Sequence, residues 1–184
     1  MRTAKYMRLF CFLLLISLAS VPGASQPAAA PTIRVLLSEV MPGAMSADQY
    51  CTLVFNNRHF HSEKASRHHG KDTDRKVYEG DLSDAEWSSL NTIIDSPDFR
   101  DITVPKSVAP LIMQDTHPYT ISVGRNGKYQ NLEFLDSKNL KPYQIQIKPL
   151  LQWWKSLRAQ RLPESNAPVN DHCSLDSTHA IIAQ

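Results

Sequence analysis

Tyr119 to Phe134, YTISVGRNGKYQNLEF, is two alternating runs that meet at Asn126-Gly127. An Asn-Gly pair favours a type I′ turn, because both residues tolerate positive φ and the turn's twist matches that of paired strands. With Arg125 opposite Lys128, the register runs outward to Gly124:Tyr129, Val123:Gln130, Ser122:Asn131, Ile121:Leu132, Thr120:Glu133 and Tyr119:Phe134. Tyr119, Ile121, Val123, Leu132 and Phe134 then share one face with Gln130. Thr120, Ser122, Asn131 and Glu133 take the other. One side is buried and one is wet.

Working outward, the next elements supply what that buried side must pack against. Ser83-Asp84-Ala85-Glu86 is a capping box, with Leu82 and Trp87 as the apolar staple around it. Trp87, Leu90 and Ile94, with Ile93 beside them, follow at helical spacing, and Ser96-Pro97 ends the run. A second helix is expected over Ile147 to Gln160, with Pro149 in its first turn and Pro163 as its stop. Leu150, Trp154 and Leu157 form its inward stripe. Successive helical residues are about 100° apart, so Trp153 is turned to the margin. There it covers the sheet edge or is offered to a partner.

Earlier in the chain, Ile33 to Val40 reads as a strand, interrupted by Met41-Pro-Gly-Ala. Gln49 to Phe55 alternates, with Tyr50, Thr52 and Val54 on one side and Cys51, Leu53 and Phe55 on the other. A turn at Asn56-Asn57 or Asn57-Arg58 leads back into His59 to Ala65. Ser66 to Asp74 has no apolar anchors and is expected as a mobile loop. Lys76 to Gly80 is a short strand leading to the first helix. Asp101 to His117 is a long Pro-containing connection. Its apolar cluster Val108 to Met113 is a buried extended segment or an extra edge strand, or else part of a binding loop. The fold class expected is α+β, an antiparallel sheet of five or six strands with two helices packed on one face.

Residues 1–25 read as a signal peptide: Arg2, Lys5 and Arg8, then the apolar run Leu9 to Leu18, then the small-residue exit at Val21 to Ser25. The run is short for a span of about 20 residues. Cleavage leaves 17 Lys+Arg against 18 Asp+Glu. The mature chain is close to neutral, and neither nucleic acid nor an acidic membrane is implied as a partner. Residues 26–162 form a single α+β domain and 163–184 a flexible C-terminal tail, largely disordered unless Cys173 ties it down. Export to the periplasm or the medium follows, with no membrane attachment after cleavage.

Two cysteines survive cleavage. Cys51 and Cys173 have one intramolecular pairing open to them in an oxidising compartment. The competing reading is a buried thiol at Cys51 and a free Cys173 in the tail. His59, His61 and Glu63 alternate onto one strand face, where two imidazoles and a carboxylate could ligate zinc or copper, with His68 or His69 completing the shell. The bland reading of the same pattern is a polar outer face opposite Phe60. Asp84, Glu86 and Asp95 are acids placed by the helix dipole and by capping, which accounts for them without catalysis. Asp171-His172-Cys173 holds the residue types of a thiol site, but three neighbours in a tail cannot place a nucleophile and its base in a dry pocket. No Gly-x-Ser-x-Gly, phosphate-binding glycine loop, His-Glu-x-x-His or Cys-x-x-Cys occurs. An enzyme is not expected.

Tyr78-Glu-Gly-Asp-Leu-Ser-Asp-Ala-Glu-Trp87, Asp95-Ser-Pro-Asp-Phe99, Tyr119-Thr-Ile-Ser-Val with Asn126-Gly127, and Lys148-Pro-Leu-Leu-Gln-Trp-Trp154 together resemble a small domain of uncharacterised secreted bacterial proteins, over about Arg75 to Arg161. In layout alone, two strand pairs each followed by a helix, the chain is also similar to emfourin-like inhibitors of bacterial metalloproteases. It has a longer Pro-rich connection and lacks a glycine-rich first hairpin, so no inhibitory residue carries over. Export and the absence of a catalytic motif, with the architectural likeness in support, lead to the expectation of a non-catalytic protein that binds or inhibits another envelope or extracellular protein. Thr120, Asn131 and Glu133 on the open sheet face, with Trp153, are the partner surface expected.

Overall fold

The computed structural model describes residues 31–43, 46–68, 71–104 and 118–173. The signal segment, His69, the Val108 to Met113 cluster and the chain after Cys173 lie outside the described residues. Six strands, β1 (Ile33–Pro42), β2 (Ser46–Phe55), β3 (His59–His68), β4 (Lys71–Asp81), β5 (Tyr119–Arg125) and β6 (Lys128–Phe134), form one antiparallel sheet in the order β4-β3-β2-β1-β5-β6. The α+β class is as expected. Among the described residues no helix is long and apolar enough to cross a membrane.

The β5-β6 hairpin has the expected register from Arg125↔Lys128 to Tyr119↔Phe134, with Asn126 at φ 49° and Gly127 at φ 74°. Ile121, Val123, Leu132 and Phe134 are buried on one face. At the β2-β3 turn the chain selects Asn56-Asn57. Arg58 N–H donates to the Phe55 carbonyl at 3.0 Å, and Arg58 itself takes φ 73°. This is a three-residue connection ending in a left-handed residue, a position an arginine adopts only under local constraint. Two contacts supply it: Asn57 Oδ1 accepts from His59 N at 3.2 Å, and the Arg58 guanidinium pairs with Asp84.

Two expectations are corrected. Ser66 to Asp74 is not a loop across its length: β3 and β4 stay paired to Ser66↔Asp74, pass an irregularity, and continue to His68↔Lys71. Their backbone ladder needs no apolar anchor, since β2 runs alongside β3 as far as Ser46↔His68 and templates it. Pro149 is not in a first turn. The last long helix, α4 (Gln144–Arg158), follows α1 (Asp84–Ile94) and the short helices α2 (Pro97–Arg100) and α3 (Ser137–Leu140), and Pro149 is its sixth residue. Pro149 is exposed, as is Ile145, whose carbonyl is the one its missing N–H leaves without a helical donor. The chain from Pro163 to Cys173 is held against the sheet. Ser165 N donates to the Val77 carbonyl at 2.7 Å, and Cys173 is bonded to Cys51 with Cα atoms 5.6 Å apart. The condition under which the tail was expected to be ordered is met this far.

The sheet therefore has two covered faces. On one, Leu90 and Ile94 of α1 and Ile147, Leu150, Trp154 and Leu157 of α4 pack with Val35, Leu37, Val54, Phe60 and the buried hairpin residues. The Trp154 indole N–H donates to Thr52 Oγ1 at 2.8 Å inside this core. Trp153 is half-buried and donates to the Glu86 carbonyl at 3.2 Å, so it bridges α4 to α1 instead of covering the sheet edge. On the other face a smaller cluster, Leu36, Cys51 and Leu53 with Cys173, packs beside Ile33, Phe55 and Tyr129.

At the start of α1 the capping box is complete: Glu86 N donates to Ser83 Oγ at 3.3 Å, and Ser83 N donates to Glu86 Oε2 at 2.8 Å. Ser83→Ala is expected to lower unfolding free energy by about 1 kcal/mol. A urea titration checks this, and an unchanged midpoint would show that the cap contributes nothing here.

Candidate functional site

The strand face singled out for its histidines holds a buried cluster of charge. His61 and Glu63 are buried, 4% and 2% exposed. His61 Nε2 lies 2.8 Å from Glu63 Oε1 and its Nδ1 lies 3.2 Å from Glu79 Oε1. Glu63 also accepts from Arg75 Nη1 at 2.5 Å and from the backbone N–H of Asn170 at 2.7 Å. Ser165 Oγ donates to Glu79 Oε2 at 3.2 Å. His59 shares the face but turns to Asp81, its Nδ1 3.1 Å from Oδ1. His68 is exposed.

The chemistry of this arrangement follows from its occupied donors and acceptors. Burial, the largest influence on His61, disfavours the imidazolium. Its hydrogen bonds and charge contacts with Glu63 and Glu79 overcome that, and the pKa is raised above the ordinary 6.5. Burial likewise works against the Glu63 carboxylate, but hydrogen bonds from His61, Asn170 and Arg75 prevail and the pKa falls below the ordinary 4.5. Glu79 is lowered too, chiefly by its bond to His61. With both ring nitrogens engaged by carboxylates, His61 offers no lone pair to a metal in this arrangement. Among the described residues no group of three His, Cys, Asp or Glu has metal-binding geometry. Both ring nitrogens meet carboxylates, and the Ser165 hydroxyl turns to Glu79, so no nucleophile is paired with the ring. What the cluster does is hold the tail: Asn170 and Ser165 belong to the segment that Cys173 staples down.

The surface expected for a partner is divided. Thr120, Asn131 and Glu133 lie on the sheet face that the tail partly covers, Thr120 half-buried and the other two exposed. Trp153 is on the helices, on the opposite side. Ser38, Gln49 and Ser122, neighbours of Thr120 on its face, are buried.

A feature missed by sequence reasoning is a groove of about 460 Å³ on the helix side of β2, β3 and β4. Tyr50, Phe60 and Tyr78 line it with Leu157 and Leu162, and Lys64, Arg158 and Arg161 bring positive charge. Strand alternation puts Phe60, Ser62 and Lys64 on the face opposite His61 and Glu63. The Arg158 guanidinium carbon sits 4.3 Å from the Tyr50 ring centroid and 4.5 Å from that of Trp154, geometry in which a cation is attracted to the ring face. Arg158 Nη1 is also 2.7 Å from Glu39 Oε2, while the Tyr119 hydroxyl donates to Glu39 Oε1 at 2.6 Å. Burial, together with the Glu39 carboxylate, pushes the Tyr119 phenol above its ordinary range, so it stays a donor. Lys64 Nζ stands 5.7 Å over the same Tyr50 ring, and Arg161 is exposed. Tyr50's face was legible from alternation; that α4 leaves β3 and β4 open beyond its last turn was not.

Comparison of the sequence with protein-family models and with curated proteins finds no match.

Two outcomes are expected of the tail anchor. The raised His61 pKa contributes stability that is complete below pH 6.5 and is lost as pH rises through the folded value. The lowered Glu63 and Glu79 values contribute stability that is complete above pH 4.5 and is lost as pH falls through theirs. The stability difference between the wild type and His61→Gln should therefore be largest between pH 4.5 and 6.5 and shrink on both sides; urea midpoints that keep diverging at alkaline pH would contradict it. Separately, the disulfide closes a loop with a sequence separation of 122 residues. Cys173→Ser should cost up to about 4–5 kcal/mol in the chain-entropy picture. Equal denaturation midpoints for oxidised and reduced protein would rule that out.

Proposed function

We propose that this is an exported, non-catalytic binding protein, and that it receives an acidic segment of another envelope or extracellular protein in the groove over β2, β3 and β4. The observation that carries the reading is the groove's composition: three aromatic rings with Lys64, Arg158 and Arg161 around them. Aromatic and arginine side chains dominate the energetics of protein interfaces, because they bring large area and charge at low entropic cost. Glu63 also lines the groove, but its carboxylate is engaged by His61, Arg75 and Asn170, and Glu39 engages Arg158 alone of the three cations. Positive charge is thus left for a partner's carboxylates, and the rings for its apolar groups.

Export is supported by the cysteine pair, since disulfides persist in oxidising compartments. A metal-binding role for His59, His61 and Glu63 has less in its favour, because their polar atoms are engaged in ion pairs.

The test uses a fluorescein-labelled peptide of alternating Glu and Tyr, with a Lys-Tyr peptide as control. Anisotropy should rise saturably for the acidic peptide alone and weaken with added salt. Lys64→Glu/Arg161→Glu should bind roughly tenfold less tightly, about 1.4 kcal/mol. Equal binding of the two peptides, or no loss in the double variant, would overturn the reading.

A further inference from the structure

A second concavity, of about 610 Å³, opens at the other end of the sheet, between the start of β1, the end of α1 and the Asn126-Gly127 turn. Its construction begins with an irregularity in β1. The pairing with β2 shifts between Ile33 and Val35. Ile33 packs in the cluster beside Cys51, while Arg34 reaches α1 and Val35 enters the main core. Two successive residues therefore point to the helix side. Such a bulge re-aims a side chain that regular alternation would send the other way. Gly124 accommodates it, since a Cβ there would lie 2.5 Å from the Ile33 carbonyl oxygen.

The redirected Arg34 is held by several acceptors. Its Nη1 donates to the Gly124 carbonyl at 2.5 Å, and Nε and Nη2 donate to Asn91 Oδ1 at 3.1 and 2.9 Å. Nη2 also meets Asp95 Oδ2 at 2.6 Å. Arg125 converges on the same carboxylate from the hairpin, Nε to Asp95 Oδ1 at 3.2 Å, and donates to the Ile94 carbonyl and to Gln130 Oε1. Both arginine side chains are 16% exposed and both are immobilised. Arg100 and Lys128 line the same cleft, exposed, and neither side chain has an ion-pair or hydrogen-bond partner among the described residues. Four cations thus face a cleft in which Asp95 is the one carboxylate among the lining residues. The crowding registers on Arg125, whose pKa is lowered by burial and, against the help of Asp95, by the charges of Arg34 and Arg100.

We infer that this cleft binds a small polyanion, a molecule carrying two or more phosphate or carboxylate groups. Guanidinium groups fixed beforehand present planar donors matched to oxyanions, and their ordering cost is already met. Arg100 and Lys128 supply the exposed charge that an incoming anion neutralises. The volume is that of ordinary small-molecule sites. The site is remote in its residues from the aromatic groove, sharing none of them, and does not depend on it.

The experiment is calorimetric titration of the purified protein with pyrophosphate and with citrate, in separate arms at one ionic strength held by sodium chloride. Saturable one-to-one binding of either probe is expected, and the arm that binds identifies the oxyanion chemistry preferred. Arg100→Ala/Lys128→Ala should weaken it about tenfold or more with an unchanged melting temperature. The inference is overturned if neither probe gives a saturable isotherm, or if the double variant binds as tightly as the wild type.

Discussion

Everything in this molecule depends on the pairing of β1 with β5. Glu39 and Tyr119, neighbours across that ladder and hydrogen-bonded through their side chains, are 80 residues apart in the chain. On one side of the junction are four strands joined by successive hairpins; on the other is the two-stranded hairpin β5-β6. The two-stranded half cannot stand alone, because a hairpin by itself is at best marginally stable. Val35↔Val123 and Leu37↔Ile121 align the apolar faces of the two halves. Only then is there a continuous surface on which α1 and α4 can lie. The entropy of closing so long a loop grows slowly with its length, so the stability cost is modest while the delay in folding is not.

The same junction determines where polar groups can be used. Once β1 and β5 are central, β4 and β6 are the edges, and an unpaired edge is a template for another chain. At β4 the protein's own C-terminal segment makes a bridge, Ser165 to the Val77 carbonyl, and then crosses the face, with Asn170 donating to Glu63 of β3 and Cys173 bonded to Cys51 of β2. The buried ion pairs around His61 are intelligible in this light. They are costly to bury and contribute only when every partner is present. One of those partners is the segment that covers the edge, so strap and charge cluster stabilise one another.

The two concavities arise from what the helices leave uncovered. Beyond the last turn of α4, the rings of Tyr50 and Tyr78 remain half-exposed. At the end of α1, Asp95 draws Arg34 and Arg125 together under the helix terminus, where cations also complement the helix dipole. A bulge and one glycine suffice to bring those two arginines into one place.

Local physics was written plainly in the chain. Asn126-Gly127 determined the register of β5-β6, Ser83 and Glu86 the start of α1, and the spacing of Leu150, Trp154 and Leu157 the inward side of α4, because each depends on contacts within a few residues. Alternation likewise placed His61 and Glu63 on one face, though it could not tell that Glu79, Arg75 and Asn170 would meet them there. Pro149 and the Ser66 to Asp74 stretch misled for the same reason: an exposed surface and a neighbouring strand tolerate what an isolated segment would not. The strand order, the bulge that turns Arg34, the path of the tail and both concavities were decided only by tertiary structure, since each requires groups tens of residues apart to meet, and no local periodicity encodes that meeting.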